Sequence, residues 1–154
     1  MKKIFIMVVL MTIITGMLFF IQKDEIEMIQ KEDIKQIVIS IGNRDLIVNL
    51  EKNSSAEDFY RRLKDNHITI DTHDYGNFEK TGNLPFDLPT NDEFITTKAG
   101  DLILYQGNII TLYYDTNRYK LTKLGHVINF DGMDLKDFLG SGSVKMTFRR
   151  KWFT

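Results

Sequence analysis

Residues Lys98–Val127, KAGDLILYQGNIITLYYDTNRYKLTKLGHV, decide the fold. Two apolar runs, Leu102–Tyr105 and Ile109–Tyr114, flank Gln106-Gly107-Asn108. Gly-Asn between apolar runs signals a hairpin, because both residues tolerate the positive φ of tight turns. A third run, Tyr119–Ile128, follows after a short link. Three apolar runs so close together predict an antiparallel meander.

Working outward, the same period of two recurs on both sides. Ile37, Ile39 and Ile41 alternate with Val38 and Ser40, Gly42-Asn43-Arg44-Asp45 turns the chain, and Leu46, Val48 and Leu50 alternate again, a second hairpin. Ser54 with Glu57 fits a capping box opening a short helix whose apolar stripe is Phe59, Tyr60 and Leu63. The Asn53-Ser54-Ser55 sequon is accounted for by the same cap. His67–Thr72 alternates as a strand, and Asp74–Thr90 contains both prolines and reads as an irregular excursion over the surface. Phe94–Thr97 resumes a strand, Asp131–Leu139 predicts a second short helix ended by Gly140-Ser141-Gly142, and Ser143–Phe148 is a last strand. No repeat or low-complexity linker interrupts this order, so residues 33–150 are expected to form one mainly β domain.

The first segment differs. Lys2 and Lys3 precede Ile4–Ile21, an uncharged run that ends at Gln22-Lys23-Asp24-Glu25. A helix of that length would span roughly 27 Å, close to a bilayer's hydrocarbon core. The run is longer than a secretory signal's apolar region and lacks a small-residue cleavage pattern. Residues 1–22 are therefore expected to be a signal anchor, a single transmembrane helix contacting the membrane through residues 4–21, with 23–32 as a juxtamembrane spacer. The basic residues before the span put the domain outside the cytoplasm; secretion after cleavage is the alternative. The chain has net charge −1 and is more acidic still without Lys2 and Lys3, so nothing draws it to nucleic acid. The absence of cysteine excludes disulfides, thiol catalysis and Cys-based zinc sites.

Few residues suggest chemistry. His67, Asp71 and His73 share one strand face, but their span is long and such residues are common at strand ends, so no metal is assigned. Gly140-Ser141-Gly142-Ser143 is followed by no helix that would make it a phosphate loop. No nucleophile, acid–base pair or cofactor motif stands out, and no catalytic residue or cofactor is assigned. His126 reads first as a half-exposed strand histidine with a structural hydrogen bond. Tyr105, Tyr113, Tyr114 and Tyr119 read first as packing. A candidate ligand groove is drawn from Tyr75, Phe78 and Phe86 of the excursion, with Tyr113 and His126 of the central stretch.

The order of elements resembles the minimal cyclophilin-like β-barrel domains. The resemblance is carried by Asn53–Leu63, Leu84-Pro85, Ala99-Gly100-Asp101-Leu102, Gly107-Asn108, Leu112-Tyr113-Tyr114, Leu124-Gly125-His126-Val127 and Gly140–Val144, and covers roughly 34–148. It implies a closed antiparallel barrel capped by two short helices, with any site in a groove on the barrel's outer face. True cyclophilins are peptidyl-prolyl isomerases that use an arginine beside a proline pocket. The arginines here are Arg44, Arg61, Arg62, Arg118, Arg149 and Arg150, and none lies within 67–95, where that residue is expected. The resulting expectation is a membrane-tethered, non-catalytic module that binds a peptide, protein or small ligand. The alternative is a divergent isomerase acting on exported proteins.

Overall fold

The computed structural model describes residues 11–23, 34–130 and 134–151. The chain divides into two units at the Ile34/Lys35 boundary. In the first, residues 11–23 form helix α1, whose apolar side chains, Ile14, Met17, Phe19 and Phe20 among them, are exposed. The expected span over residues 4–21 falls partly on residues outside the described set, and the expected spacer falls almost wholly there. Among the described residues no helix is long and apolar enough to cross a membrane.

The described residues of the second unit form nine antiparallel strands: β1 (Gln36–Ile41), β2 (Arg44–Leu50), β3 (Ile68–Tyr75), β4 (Glu79–Asn83), β5 (Glu93–Thr96), β6 (Asp101–Tyr105), β7 (Ile109–Tyr113), β8 (Arg118–Val127) and β9 (Val144–Arg150). Their order is β2-β1-β9-β3-β4-β7-β6-β8, and pairing of β2 with β8 closes the ring, while β5 adds to β8 from outside. Closure leaves no free edge within the barrel. Inward-facing Ile37, Ile39, Leu46, Val48, Leu102, Leu104, Ile110, Leu112, Met146 and Phe148 fill it.

Two short helices complete the core. Helix α2 (Ser54–Arg62) follows the end of β2 and buries Ala56 and Phe59, whose ring meets Phe148 edge-on at 5.6 Å. Helix α3 (Leu135–Leu139) buries Leu135, Phe138 and Leu139. It packs at the other end of β2, where the Arg44 guanidinium donates to the Phe138 carbonyl and lies 4.0 Å from its ring centroid.

The structure departs from the sequence reading in local ways, each with a cause. The N-cap of α2 is Asn53, not Ser54: Asn53 Oδ1 accepts from the Ala56 amide while its Nδ2 donates to the Lys123 carbonyl, anchoring the cap to β8. Glu57 pairs with Lys35 instead of closing a capping box. Asp134 caps α3, so this helix starts later than expected; residues 131–133 lie outside the described set. In the β6–β7 turn positive φ is taken by Gln106 and Gly107, not by Asn108.

Two corrections matter for the site. The excursion is not wholly irregular, because Glu79–Asn83 forms β4, joined to β3 through Gly76 and Asn77 at φ 57° and 60°. Nor is the central stretch a simple meander. β4 occupies the far edge of β7 (Glu79 opposite Tyr113, Asn83 opposite Ile109), so β8 pairs with β6 instead. β8 then reaches β2, where Gly125 allows close approach: a Cβ there would lie 2.4 Å from the Asn49 carbonyl oxygen.

Candidate functional site

Alternation sends every second residue of β4, β6 and β7 to the outer face. On that face Ile103, Tyr113 and Leu121 form a second apolar cluster, separate from the barrel core, with Phe78, Ile95 and Tyr105 packed on it. Above this cluster lies a cavity of about 550 Å³. Its size falls within the range of small-ligand pockets. Phe78 stacks on Tyr113 at 5.8 Å with an interplanar angle of 14°, and Tyr75 meets Phe78 edge-on at 6.3 Å. Tyr105 and Tyr119 form another edge-on pair at 5.9 Å. All five rings line the cavity, with Ile109 and Leu121 adding aliphatic wall.

Besides the tyrosine hydroxyls, six polar side chains line it: His73, Glu79, Thr81, Asn83, Thr111 and Asn117. Glu79 is only 7% exposed, and its Oε2 is buried with no hydrogen-bond partner among the described residues. The buried Thr111 Oγ1 has none either. Buried polar atoms are normally paired, so two such atoms in one cavity mark a place that an incoming group would satisfy. Burial pushes the Glu79 carboxyl above its ordinary range, with the neighbouring Tyr113 hydroxyl opposing the shift. Tyr113 is raised in turn, first by burial and then by Glu79. The Asn117 amide donates to the Tyr113 hydroxyl at 3.4 Å and orients it.

The opposite face of β4 carries a different charge. Lys80 is buried inside the barrel, where its Nζ lies 2.7 Å from Asp74 Oδ1 and donates to the Gly142 carbonyl at 2.7 Å. Asp74 also accepts from the Gly142 amide at 2.8 Å and from the Tyr114 hydroxyl at 3.2 Å. The Lys80 hydrogen bond holds the Asp74 carboxyl below its usual range. Burial, then the Asp74 charge, pushes the Tyr114 hydroxyl up to about 12. This network is fully partnered and closes the α3 end of the barrel.

Of the candidate groove residues, Tyr75, Phe78 and Tyr113 meet in the cavity. Tyr75 stands at the end of β3 and is 60% exposed. Phe86 lies elsewhere, half-buried on the core beneath the Arg62 guanidinium, 4.2 Å from its ring centroid. His126 is further along β8, with Nδ1 2.8 Å from Asp101 Oδ1, and Lys123 Nζ approaches the same oxygen at 3.0 Å. Neither lines the cavity. Glu79 and Thr111, the two polar atoms that most distinguish the site, escaped sequence reasoning. The segment EKTGN, which follows Gly76-Asn77 and itself ends in Gly82-Asn83, has no apolar alternation to announce a strand. Among the described residues no group of three or more His, Asp or Glu is placed to hold a metal ion.

None of the curated proteins compared matches the chain. A hypothetical protein from Archaeoglobus fulgidus, determined in solution, superposes with a TM-score of 0.55 at 13% identity, over 77% of this chain and 95% of that one. That likeness speaks to the fold. The sequence profile of the cyclophilin-like family matches residues 39–149, from the middle of β1 into β9, and on that match the chain belongs to the cyclophilin-like family.

Proposed function

We propose that the barrel is a non-catalytic binding module whose ligand occupies the outer-face cavity, and that the N-terminal segment tethers it to the outer side of a cell membrane. The observation that carries the binding reading is the pairing of an aromatic cavity with two buried, unpartnered polar atoms, Glu79 Oε2 and Thr111 Oγ1. An apolar pocket with a few convergent polar groups is the usual form of a small-molecule site. Isomerase chemistry is disfavoured because none of the arginines, all of them among the described residues, lines this cavity. The family fold alone does not supply the reaction. The tether rests on the uncharged run Ile4–Ile21 between Lys2-Lys3 and the acidic residues Asp24, Glu25 and Glu27.

Two readouts on the full chain test this. A proline-isomerisation assay on a tetrapeptide should show the uncatalysed rate; clear acceleration would establish the isomerase alternative. Fractionation of cells should leave the protein in the membrane fraction, with the barrel open to protease added from outside. Recovery from the medium without residues 1–21 would remove the tether.

A further inference from the structure

The cavity's polar groups ask for a particular partner. Glu79 is an acid in a site walled by aromatic rings, with one oxygen buried and unbonded. A neutral apolar ligand would fill the space and leave that oxygen unsatisfied. An anionic ligand would place like charge against it. A cation would satisfy the oxygen directly and would also face the negative π surfaces of the surrounding rings. Phe78 and Tyr113 are stacked, so they present one continuous aromatic wall, and Tyr105 with Tyr119 supplies another. Thr111 Oγ1, also unbonded, is a second acceptor for an N–H donor.

We propose that the cavity binds a small organic cation, an amine on a short apolar or aromatic stem, with the ammonium on Glu79 and Thr111 and the stem against Phe78, Tyr113 and Tyr119. This rests on the binding-module reading above and adds the charge class of its ligand. A bare metal ion is a poor occupant, since a single carboxylate among aromatic rings does not supply the oxygen ligands hard cations require. A free small molecule fits better than a lysine side chain presented by a protein. The cavity holds about 550 Å³, whereas a lysine brings only a narrow alkyl stem and would leave the rings unfilled.

Calorimetric titration of the full-length chain with 2-phenylethylamine, 2-phenylethanol, 3-phenylpropionate and a lysine blocked at both ends tests the proposal. The amine should bind at least about tenfold more tightly than the alcohol, as a charge-assisted hydrogen bond adds to the apolar contact. The propionate and the blocked lysine should bind more weakly than the amine. Glu79→Gln should erase the preference for amine over alcohol and retain alcohol binding. Should that variant fail to fold, Tyr119→Leu serves, because Tyr119 is half exposed at the rim and its loss should weaken the amine about threefold more than the alcohol. Equal binding of amine and alcohol, or tighter binding of the propionate, overturns the cation assignment and leaves the binding module standing. Tighter binding of the blocked lysine overturns the small-molecule assignment. No binding of any probe overturns both this inference and the reading it rests on.

Discussion

Glu79 and Lys80 are neighbours in sequence and point to opposite faces of β4, with opposite outcomes. Inside the barrel, Lys80 has Asp74 and the Gly142 carbonyl as partners. Outside it, Glu79 Oε2 has none. The folded protein therefore holds Glu79 with its pKa above the unfolded value, which makes ionisation unfavourable to folding. The sign follows from linkage: the folded state binds the extra proton, so this residue's contribution is most favourable below the unfolded value and declines as pH rises toward the folded one. Glu79→Gln should remove that decline. Thermal melts of the two proteins should nearly coincide at pH 4 and diverge by pH 8, with the variant higher by roughly 2–8 °C, the worth of an unpaired buried group in a domain of this size. A variant that melts lower than the parent at pH 8 would show that Glu79 is satisfied in the folded protein. Nothing in the sequence marked Glu79, because an acid between Phe78 and Lys80 has no motif around it. Tyr75, Phe78 and Tyr113 were legible as exposed or strand aromatics, whereas the polar atoms at their centre became visible only once Glu79 was seen opposite Tyr113.

At the scale of elements, β4 explains most of what the sequence did not disclose. Strands β1, β2, β6 and β7 announce themselves by apolar alternation. β4 carries a lysine and a glycine inward and a glutamate and a threonine outward, all buried, so no hydrophobic period exists to read. With β4 unseen, β7 appeared to have a free edge, and β8 was assigned to it instead of to β6. The β3–β4 hairpin carries a charge pair: Asp74 and Lys80 stand opposite each other in the register, and both bind Gly142 in the loop before β9. Removing either partner should not cost the same. Asp74→Ala leaves the Lys80 ammonium buried and uncompensated, and urea unfolding should show a loss of about 3–5 kcal/mol. Lys80→Met leaves Asp74 able to reach solvent, and the loss should be clearly smaller. Because the folded state depresses the Asp74 pKa, its stabilisation is present above the unfolded value of 3.8 and should fade as pH falls through the folded one. Equal losses for the two variants would mean that the pair is solvated and that the hairpin is held by other contacts.

For the whole molecule, closure of the barrel is what makes a site. The cavity draws residues from β3, β4, β6, β7 and β8. These strands become neighbours only because β4 joins β7 and β8 joins β6. The fold class was legible from the order of hairpins, capped helix and turn signals, since those are local. The site was only partly legible, since it assembles from strands distant in sequence, and Phe86 and His126 were aromatic or titratable residues that closure sends elsewhere. The central claim is that the outer face of β4 and β7, and no other surface, receives the ligand. Amide NMR spectra of the full-length chain during titration with 2-phenylethylamine test it most directly. Shifts concentrated at Glu79, Thr111, Tyr113 and Leu121 are the predicted result. Shifts centred on His126 and Phe130, or around Phe86 and Arg62, with the cavity residues unmoved, would contradict it.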